Sequence, residues 1–262
     1  MELSLYQIDA FTDHLFSGNP ACVVPLTKML PDALLLKIAQ ENAVAETAFF
    51  LIKDQKIFLR WFTPEVEMDL CGHATLATAH CLKTILKFSE NIFQFETLSG
   101  ILVVEFKDGL YHLNFPSRMP KKIKLPLLLE QSINIPPVYV FKARDYVLIY
   151  ESEYDINNIS INRVPFDQLS LGSGGVCVSS EGDSCDFVSR FFTPKASILE
   201  DPVTGSAHCS LIPFWAERLK KQKMLAKQLS LRGGTLYCRN LGERVLISGK
   251  AITYSKGSFV IK

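Results

Sequence analysis

Four polar residues of this chain have the types and positions that proton transfer needs. Glu46 is flanked by small and aromatic residues within Val44–Phe50. Such neighbours bury a carboxylate and favour its neutral form, so the group can both take and return a proton near neutral pH. His73 and Ser206 each follow a glycine directly, and Asp201 lies shortly before the second of these glycines.

Each of these residues also has a structural interpretation. Glu46 suits the exposed start of a strand, His73 suits a helix start where it donates to a carbonyl, and Asp201 suits a helix cap or turn. The set is more informative than its members. An acid, an imidazole and a second carboxylate around two helix starts predict cofactor-free proton transfer at a carbon next to a carboxylate or enol.

The two helix starts belong to an internal duplication. The segment Arg60–Pro64 (RWFTP) recurs as Arg190–Pro194 (RFFTP), and each copy runs on to a Gly-x-Ala step that begins at Gly72 or at Gly205. A Gly-x-Leu pattern occurs further along in each copy, so the three shared features follow one another in the same order in both copies. The chain is therefore predicted to contain two copies of one unit.

Each Gly-x-Ala step opens an apolar run with helical spacing. The first residues of a helix expose unpaired N–H groups and a partial positive charge, and glycine lets a ligand approach the backbone closely. We therefore expect the starts at Gly72 and Gly205 to bind the carboxylate of a small-molecule substrate in a cleft between the two halves.

Strand-like runs surround these helices in both halves. Each half is predicted to be a curved, mostly antiparallel sheet wrapped round one long helix, over residues 74–86 and 207–220. Helices are too few to cross between parallel strands, so the fold class is α+β. A proline-rich basic segment marks the linker, which gives halves of 1–118 and 119–262.

Composition excludes several functions. The 262 residues include 48% hydrophobic and 21% charged residues, enough for two packed cores. The net charge of +1 provides no basic surface for nucleic acid. No run approaches the ~20 apolar residues of a membrane helix. The seven cysteines form no C-x-x-C pair, and no signal peptide is evident, which favours a cytoplasmic protein with reduced thiols.

Three other kinds of site fit the sequence poorly. The glycine-rich segment Leu171–Gly175 leads into a strand-like run and not into a helix, which argues against a dinucleotide site. The segment Gly205–His208 lacks the G-x-S-x-G elbow of serine hydrolases. His73 and His80 could share a helix face, but no third ligand is evident, so no metal is expected.

Five ordered motifs resemble one family. GNPA at Gly18, AETAF at Ala45, FTP at Phe62, DLCGHAT at Asp69 and DPVTGSAH at Asp201 are similar to the signature segments of phenazine-biosynthesis (PhzF-like) isomerases. The resemblance spans essentially the whole chain. It implies a diaminopimelate-epimerase-like fold of two similar halves with the active site between them, usually in a homodimer.

The resemblance also implies residue roles. Glu46 matches the general acid/base of a cofactor-free and metal-free isomerase. His73, Asp201 and Ser206 match substrate contacts, together with the amides of Gly72 and Gly205. In the phenazine enzyme the substrate is a dihydro-hydroxyanthranilate, and many relatives have no known substrate.

Related epimerases and racemases of this fold use two cysteines, one at each helix start. Cys71 matches the first, but Asp201 stands where the second is expected, which disfavours a two-thiol racemase. The alternative function is a catalytically silent protein that binds a metabolite or a partner. The specificity pocket is expected to draw on strand ends and loops, with Phe16, Ser17, Asn19, Tyr150 and Ser152 as candidates.

Overall fold

A computed structural model describes residues 1–261 of the chain, which fold into two compact units. The first unit comprises Met1–Asn114 together with the chain from Ser248 onward. The second comprises Phe115–Ile247. Both combine strands with few helices, so the protein is a mixed α/β structure.

Strands dominate the N-terminal part of the chain, and only two helices interrupt them. The elements up to residue 116 are β1 (Glu2–Ala10), β2 (Asn19–Leu26), α1 (Asp32–Asn42), β3 (Glu46–Lys53), β4 (Lys56–Phe62), β5 (Glu67–Met68), α2 (Gly72–His80), β6 (Ile92–Thr97), β7 (Gly100–Lys107) and β8 (Leu110–Pro116).

Parallel and antiparallel pairs alternate from β1 to β7 in the sheet of the first unit. β1 pairs antiparallel with β2, β2 parallel with β3, β3 antiparallel with β4, β4 parallel with β6, and β6 antiparallel with β7. The expectation that helices are too few to cross between parallel strands is wrong for two pairs of the first unit. α1 lies in the connection from β2 to β3, and α2 lies in that from β4 to β6.

The helix α2 is the centre of the first unit. All nine of its residues are buried, and it packs against β1, β2 and β3. Its sequence, GHATLATAH, is rich in alanine, whose small side chain lets neighbouring strands approach a helix closely. A single π-helical turn, Cys81–Ile85, continues it. The helical prediction over 74–86 is confirmed, with the start at Gly72.

The second unit contains more and shorter helices. The elements from residue 121 to residue 249 are β9 (Lys121–Lys122), α3 (Leu127–Glu130), β10 (Tyr139–Lys142), β11 (Tyr146–Ile149), α4 (Glu153–Asn158), α5 (Arg163–Phe166), β12 (Val176–Glu181), β13 (Phe187–Phe192), α6 (Gly205–Leu219), β14 (Lys223–Gln228), β15 (Gly234–Asn240) and β16 (Arg244–Gly249).

Strand pairing in the second unit shows the same alternation as in the first. β10 pairs antiparallel with β11, β11 parallel with β12, β12 antiparallel with β13, β13 parallel with β14, and β14 antiparallel with β15. The helix α6 lies in the connection from β13 to β14, as α2 lies in that from β4 to β6.

The helix α6 is the apolar centre of the second unit. It packs against β14 and β15, and eleven of its 15 residues are buried. It ends where Lys220 adopts a left-handed conformation. The predicted helix over 207–220 is confirmed, with the start at Gly205. Within residues 1–261, no helix is long and apolar enough to cross a membrane.

The last strand, β17 (Ala251–Val260), belongs to the first unit. It pairs antiparallel along the whole of β1, from Glu2 opposite Val260 to Ala10 opposite Ala251. The predicted division at residue 118 instead assigns these residues to the C-terminal half. The difference arises because β1 needs a partner on the edge that β2 leaves open, and the end of the chain supplies it.

Two short helices, α4 and α5, have no counterpart in the sequence prediction. A capping box begins α4, in which Ser152 and Asp155 exchange hydrogen bonds between side chain and backbone. The side chain of Asn162 caps α5. The S-x-x-D spacing at Ser152 is the signal that could have identified α4.

A substitution at Gly18 tests how closely the chain packs in the connection between β1 and β2. Gly18 has a φ of +69°, and an added Cβ would lie 2.3 Å from the carbonyl oxygen of Ala10 and 2.6 Å from Cγ2 of Thr12. We expect Gly18→Ala to lower the free energy of unfolding by roughly 1–3 kcal/mol, measured by urea denaturation.

Gly109→Ala is the matched control for this prediction. Gly109 also has a positive φ, +76°, but an added Cβ there has nothing within 4 Å. We expect a loss of about 1 kcal/mol or less from the backbone conformation alone. Equal losses in the two variants would contradict the steric part of the prediction.

Candidate active site

A carboxylate and an imidazole face each other at the start of α2. Glu46 is the first residue of β3, and His73 is the second residue of α2. Oε2 of Glu46 lies 3.0 Å from Nε2 of His73, and the two side chains are 14% and 5% exposed. The parallel pairing of β2 with β3 and the packing of α2 on both strands bring them together.

The contact has the distance of an ion pair without the geometry of a hydrogen bond. Oε2 of Glu46 and Nε2 of His73 are both shielded from solvent, and neither has a hydrogen bond of normal geometry. A polar atom in this condition is unusual in a folded protein and points to a functional role. Catalytic contacts are often misaligned before the substrate binds.

The other ring nitrogen of His73 has two neighbours. Nδ2 of Asn19 lies 3.2 Å from Nδ1, and Sγ of Cys71 lies 3.6 Å from it. Asn19 is the first residue of β2 and is fully buried, and Cys71 directly precedes α2. Each ring nitrogen therefore faces polar atoms on its own side of the ring, Nδ1 with hydrogen-bond geometry and Nε2 without it.

Burial and charge act in opposite directions on His73. Burial is the largest influence on the pKa of His73 and lowers it, whereas the negative charge of Glu46 acts against burial and raises it. Burial, and then Glu46, raises the pKa of Cys71, so the thiol keeps its proton at neutral pH. A protonated thiol carries no negative charge, which leaves Glu46 as the charge that opposes the effect of burial on His73.

These three residues also have the side-chain types of a metal site. The ligand atoms of Glu46, Cys71 and His73 lie within 4.8 Å of one another. A histidine, however, binds a given ion through one nitrogen. Since Glu46 approaches Nε2 and Cys71 approaches Nδ1, one ion could bind all three only after the side chains rearrange.

Both glycine-led helices begin without a side-chain cap. Cys71 and Thr204 precede them in extended conformations, with φ and ψ of −139° and 110° and of −111° and 94°. Neither side chain accepts a hydrogen bond from the first turn of its helix. A helix start of this kind suits an anionic ligand, because its first N–H groups have no partner within the helix.

The predicted residue Asp201 lies in a hydrogen-bonded turn of the second unit. The hydroxyl of Thr204 donates to Oδ2 of Asp201 over 2.5 Å. The amide of Gln228 joins the turn: its Oε1 accepts from the backbone N–H of Thr204 over 2.8 Å, and its Nε2 donates to the carbonyl of Asp201 over 2.8 Å. This buried amide fixes the path of the chain into α6.

The predicted residue Ser206 contacts a cation. Nη2 of Arg144 donates to Oγ of Ser206 over 2.8 Å and to Oδ2 of Asp145 over 2.8 Å. Asp145 is buried and also accepts from the backbone N–H of Gly175 over 2.9 Å. Asp145 thus anchors the Arg144 guanidinium beside the start of α6 and balances its charge.

The structure places the predicted residues in two groups. It brings Glu46, Gly72 and His73 together in the first unit, and it places Asp201, Gly205 and Ser206 along one turn and helix start of the second. Sequence reasoning missed Arg144 and Gln228, because each comes from a strand or turn far along the chain. It named Asn19 as a pocket candidate, but not as a partner of His73.

Comparison with known proteins identifies the family. Residues 8–257 match the family described as phenazine biosynthesis-like protein (PhzC–PhzF). An uncharacterized isomerase of Pseudomonas aeruginosa is 45% identical over 259 residues, which are 98% of this chain and 98% of that protein. The crystal structure of a PhzF-family protein from Enterococcus faecalis is 42% identical, with a TM-score of 0.95 over 100% of both chains.

The fold and these relatives define the chain as an enzyme of the isomerase class. It belongs to the PhzF-like, phenazine biosynthesis-like family, as the five motifs predicted. The fold extends to more distant proteins. One described as a predicted epimerase of Pseudomonas aeruginosa is 17% identical, with a TM-score of 0.77 over 100% of both chains, so the architecture is similar to epimerase-type folds.

A buried histidine in α6 gives the second unit a pH-dependent stability. Nδ1 of His208 lies 2.8 Å from the carbonyl of Thr204, to which it donates, and the ring is fully buried beside Phe187. Burial lowers the pKa of His208 from 6.5 to about 4. The folded protein therefore holds a neutral ring over a range in which the unfolded chain becomes protonated.

We predict that His208 makes the fold sensitive to acid. The contribution is complete above pH 6.5 and is lost as the pH falls towards about 4, and it amounts to roughly 3 kcal/mol at most. In His208→Gln, the free energy of unfolding should fall less steeply between these pH values. His14→Gln, at an exposed position, should keep the wild-type slope. An unchanged slope in His208→Gln would contradict the prediction.

Proposed function

We propose that this chain is a cofactor-independent isomerase that moves a proton within a small cyclic or unsaturated carboxylic acid, with Glu46 as general acid and base. The observation that carries the proposal is Oε2 of Glu46. This oxygen is shielded from solvent, has no hydrogen bond of normal geometry, and lies 3.0 Å from Nε2 of His73.

The proposed reaction needs one group that changes its protonation state twice. Glu46 takes a proton from a carbon next to a carboxylate or enol, and the electron pair moves into the conjugated system of the substrate. The protonated carboxyl group then gives the proton to a second carbon, and the carboxylate is restored. His73 is placed to stabilise the carboxylate or the charge that develops on the substrate.

The acid group of the substrate needs donors that do not take part in this transfer. The uncapped start of α2 at Gly72 offers backbone N–H groups beside Glu46 and His73. The same physical argument supports substrate contacts at Gly205 and Ser206, where the guanidinium of Arg144 adds an N–H donor. Asp201 is proposed as a further substrate contact.

The proposal includes the interpretation of the chain as two duplicated halves. It is supported by the shared Arg-x-Phe-Thr-Pro segments, by the two glycine-led helices and by the same alternation of strand pairs in each unit. On this interpretation, Glu46 has no acidic counterpart of the same role in the second half, and the two halves contribute different chemistry.

We also propose a cytoplasmic homodimer. All seven cysteines are free thiols, six of them buried, which suits a reducing compartment. The dimer rests on the family resemblance alone. Light scattering on the purified protein tests it, and a monomeric mass would contradict it.

Replacing the proposed acid/base is the first functional test. We expect Glu46→Gln to lower kcat by a factor of roughly 100 to 10,000, because the amide cannot accept the proton, while the fold is retained. Proton NMR in D2O, with a panel of cyclic amino and hydroxy acids that includes dihydro-hydroxyanthranilate, measures isomerisation and deuterium uptake together.

Glu41→Gln, at an exposed position of α1, is the matched control and should keep the wild-type rate. Glu46→Gln with a near wild-type rate would remove Glu46 from its role. Acids that bind without any exchange of a carbon-bound hydrogen would favour the alternative, a catalytically silent binding protein.

A second pair of variants tests the residues of the C-terminal unit. We expect Asp201→Asn and Ser206→Ala each to raise KM or lower kcat by about tenfold, the effect of about one lost hydrogen bond to a charged group. Their unfolding transitions should stay close to that of the wild type. Asp183→Asn, on an exposed turn, provides the control. Unchanged kinetics in both variants would remove Asp201 and Ser206 from the proposed role of substrate contacts.

A further inference from the structure

The neighbours of Nδ1 determine which protonation state and which tautomer His73 can adopt in the site. Nδ2 of Asn19 lies 3.2 Å from Nδ1 in a fully buried setting. The amide nitrogen is a donor and cannot accept, so a ring nitrogen that faces it must accept. Sγ of Cys71, at 3.6 Å, is also a donor, because this buried thiol keeps its proton.

An imidazole whose Nδ1 accepts carries its proton on Nε2. In this structure Nε2 is the nitrogen that faces Oε2 of Glu46. The contacts from Asn19 through His73 to Glu46 thus run in one direction. The amide donates to Nδ1 over 3.2 Å, and Nε2 lies in a misaligned contact 3.0 Å from Oε2 of Glu46. The imidazolium form would instead place an N–H on Nδ1 against the N–H group of the amide.

We propose that Asn19 is a positioning residue that holds His73 as the neutral tautomer with its proton on Nε2. Its catalytic consequence rests on the proposed function of Glu46. A neutral Nε2–H donor orients the carboxylate and leaves it able to accept a proton. A full positive charge on His73 would favour the ionised carboxylate and weaken it as a base.

The negative charge of Glu46 raises the pKa of His73, and two features of the site act against this influence and favour a neutral ring. His73 is 5% exposed, and burial disfavours the charged imidazolium. Cys71 retains its proton and contributes no negative charge, so the charge that favours protonation comes from Glu46 alone among the ring's direct neighbours. The buried amide adds a dipole that favours the acceptor state of Nδ1.

The test is nitrogen NMR of the whole protein labelled with ¹⁵N-histidine, in which His73→Gln assigns the signals of His73. The wild type should show one protonated and one unprotonated ring nitrogen at neutral pH, with the proton on Nε2. Asn19→Asp should convert the ring to imidazolium, because a carboxylate accepts from Nδ1–H. Asn91→Asp adds the same charge at an exposed position and should leave the spectrum unchanged.

Two results would overturn the proposal. One is an imidazolium, or a proton on Nδ1, in the wild type, as expected if the amide of Asn19 presented Oδ1 to the ring. The other is a folded Asn19→Asp variant with the wild-type tautomer. The wild-type spectrum decides the matter even if the variant does not fold.

Kinetics then connect the tautomer with turnover. Asn19→Asp should lower kcat by about 10- to 100-fold, a size typical of residues that orient a catalytic group. It should also shift the acidic side of the profile of kcat against pH, where the proposed base gains its proton. Different results would contradict the proposed role of Glu46 and the proposed role of Asn19. An active Glu46→Gln variant would remove the proposed acid/base and leave the tautomer assignment intact, whereas the wrong tautomer would remove Asn19 from its role and leave Glu46 in place.

Discussion

The contact between Glu46 and His73 is the constraint on which the rest of the site depends. A carboxylate and an imidazole held 3.0 Å apart, at 14% and 5% exposure, are each costly to desolvate unless the other is present. Breaking such a pair by removing one partner leaves the other group buried without compensation. The surrounding structure must therefore fix both side chains, and it does so with a fully buried helix and two neighbouring strands.

Each element around this pair has a specific task. β3 begins at Glu46 and determines how deeply this side chain is buried. The helix α2 begins at Gly72 and orients His73. β2 begins at Asn19, which contacts Nδ1 on the other side of the imidazole ring. The alanines of α2 let the strands approach closely enough for these contacts. The pairing of β17 with β1 completes the sheet of the same unit. The chemistry of the site thus depends on how closely this core packs.

Much of this arrangement is predictable from the sequence, and the remainder is not, for physical reasons. Glu46 and His73 stand out because a buried acid and a glycine-led helix start are local signals. Arg144 and Gln228 do not, because their roles come from contacts with Ser206 and Thr204, far away in sequence. The sequence does not assign β17 to the first unit, because its residues are mostly exposed and show little alternation between apolar and polar side chains. Its pairing with β1 shows which unit it belongs to.

The central claim is that one carboxylate, Glu46, holds the migrating hydrogen during turnover. The most direct measurement uses an acid that the enzyme converts, deuterated at the carbon that loses hydrogen, in ordinary water with detection by NMR and mass spectrometry. Because Oε2 is shielded from solvent, part of the product should carry deuterium at the carbon that gains hydrogen. Product whose new hydrogen comes entirely from solvent in every turnover would contradict transfer by a single sequestered group.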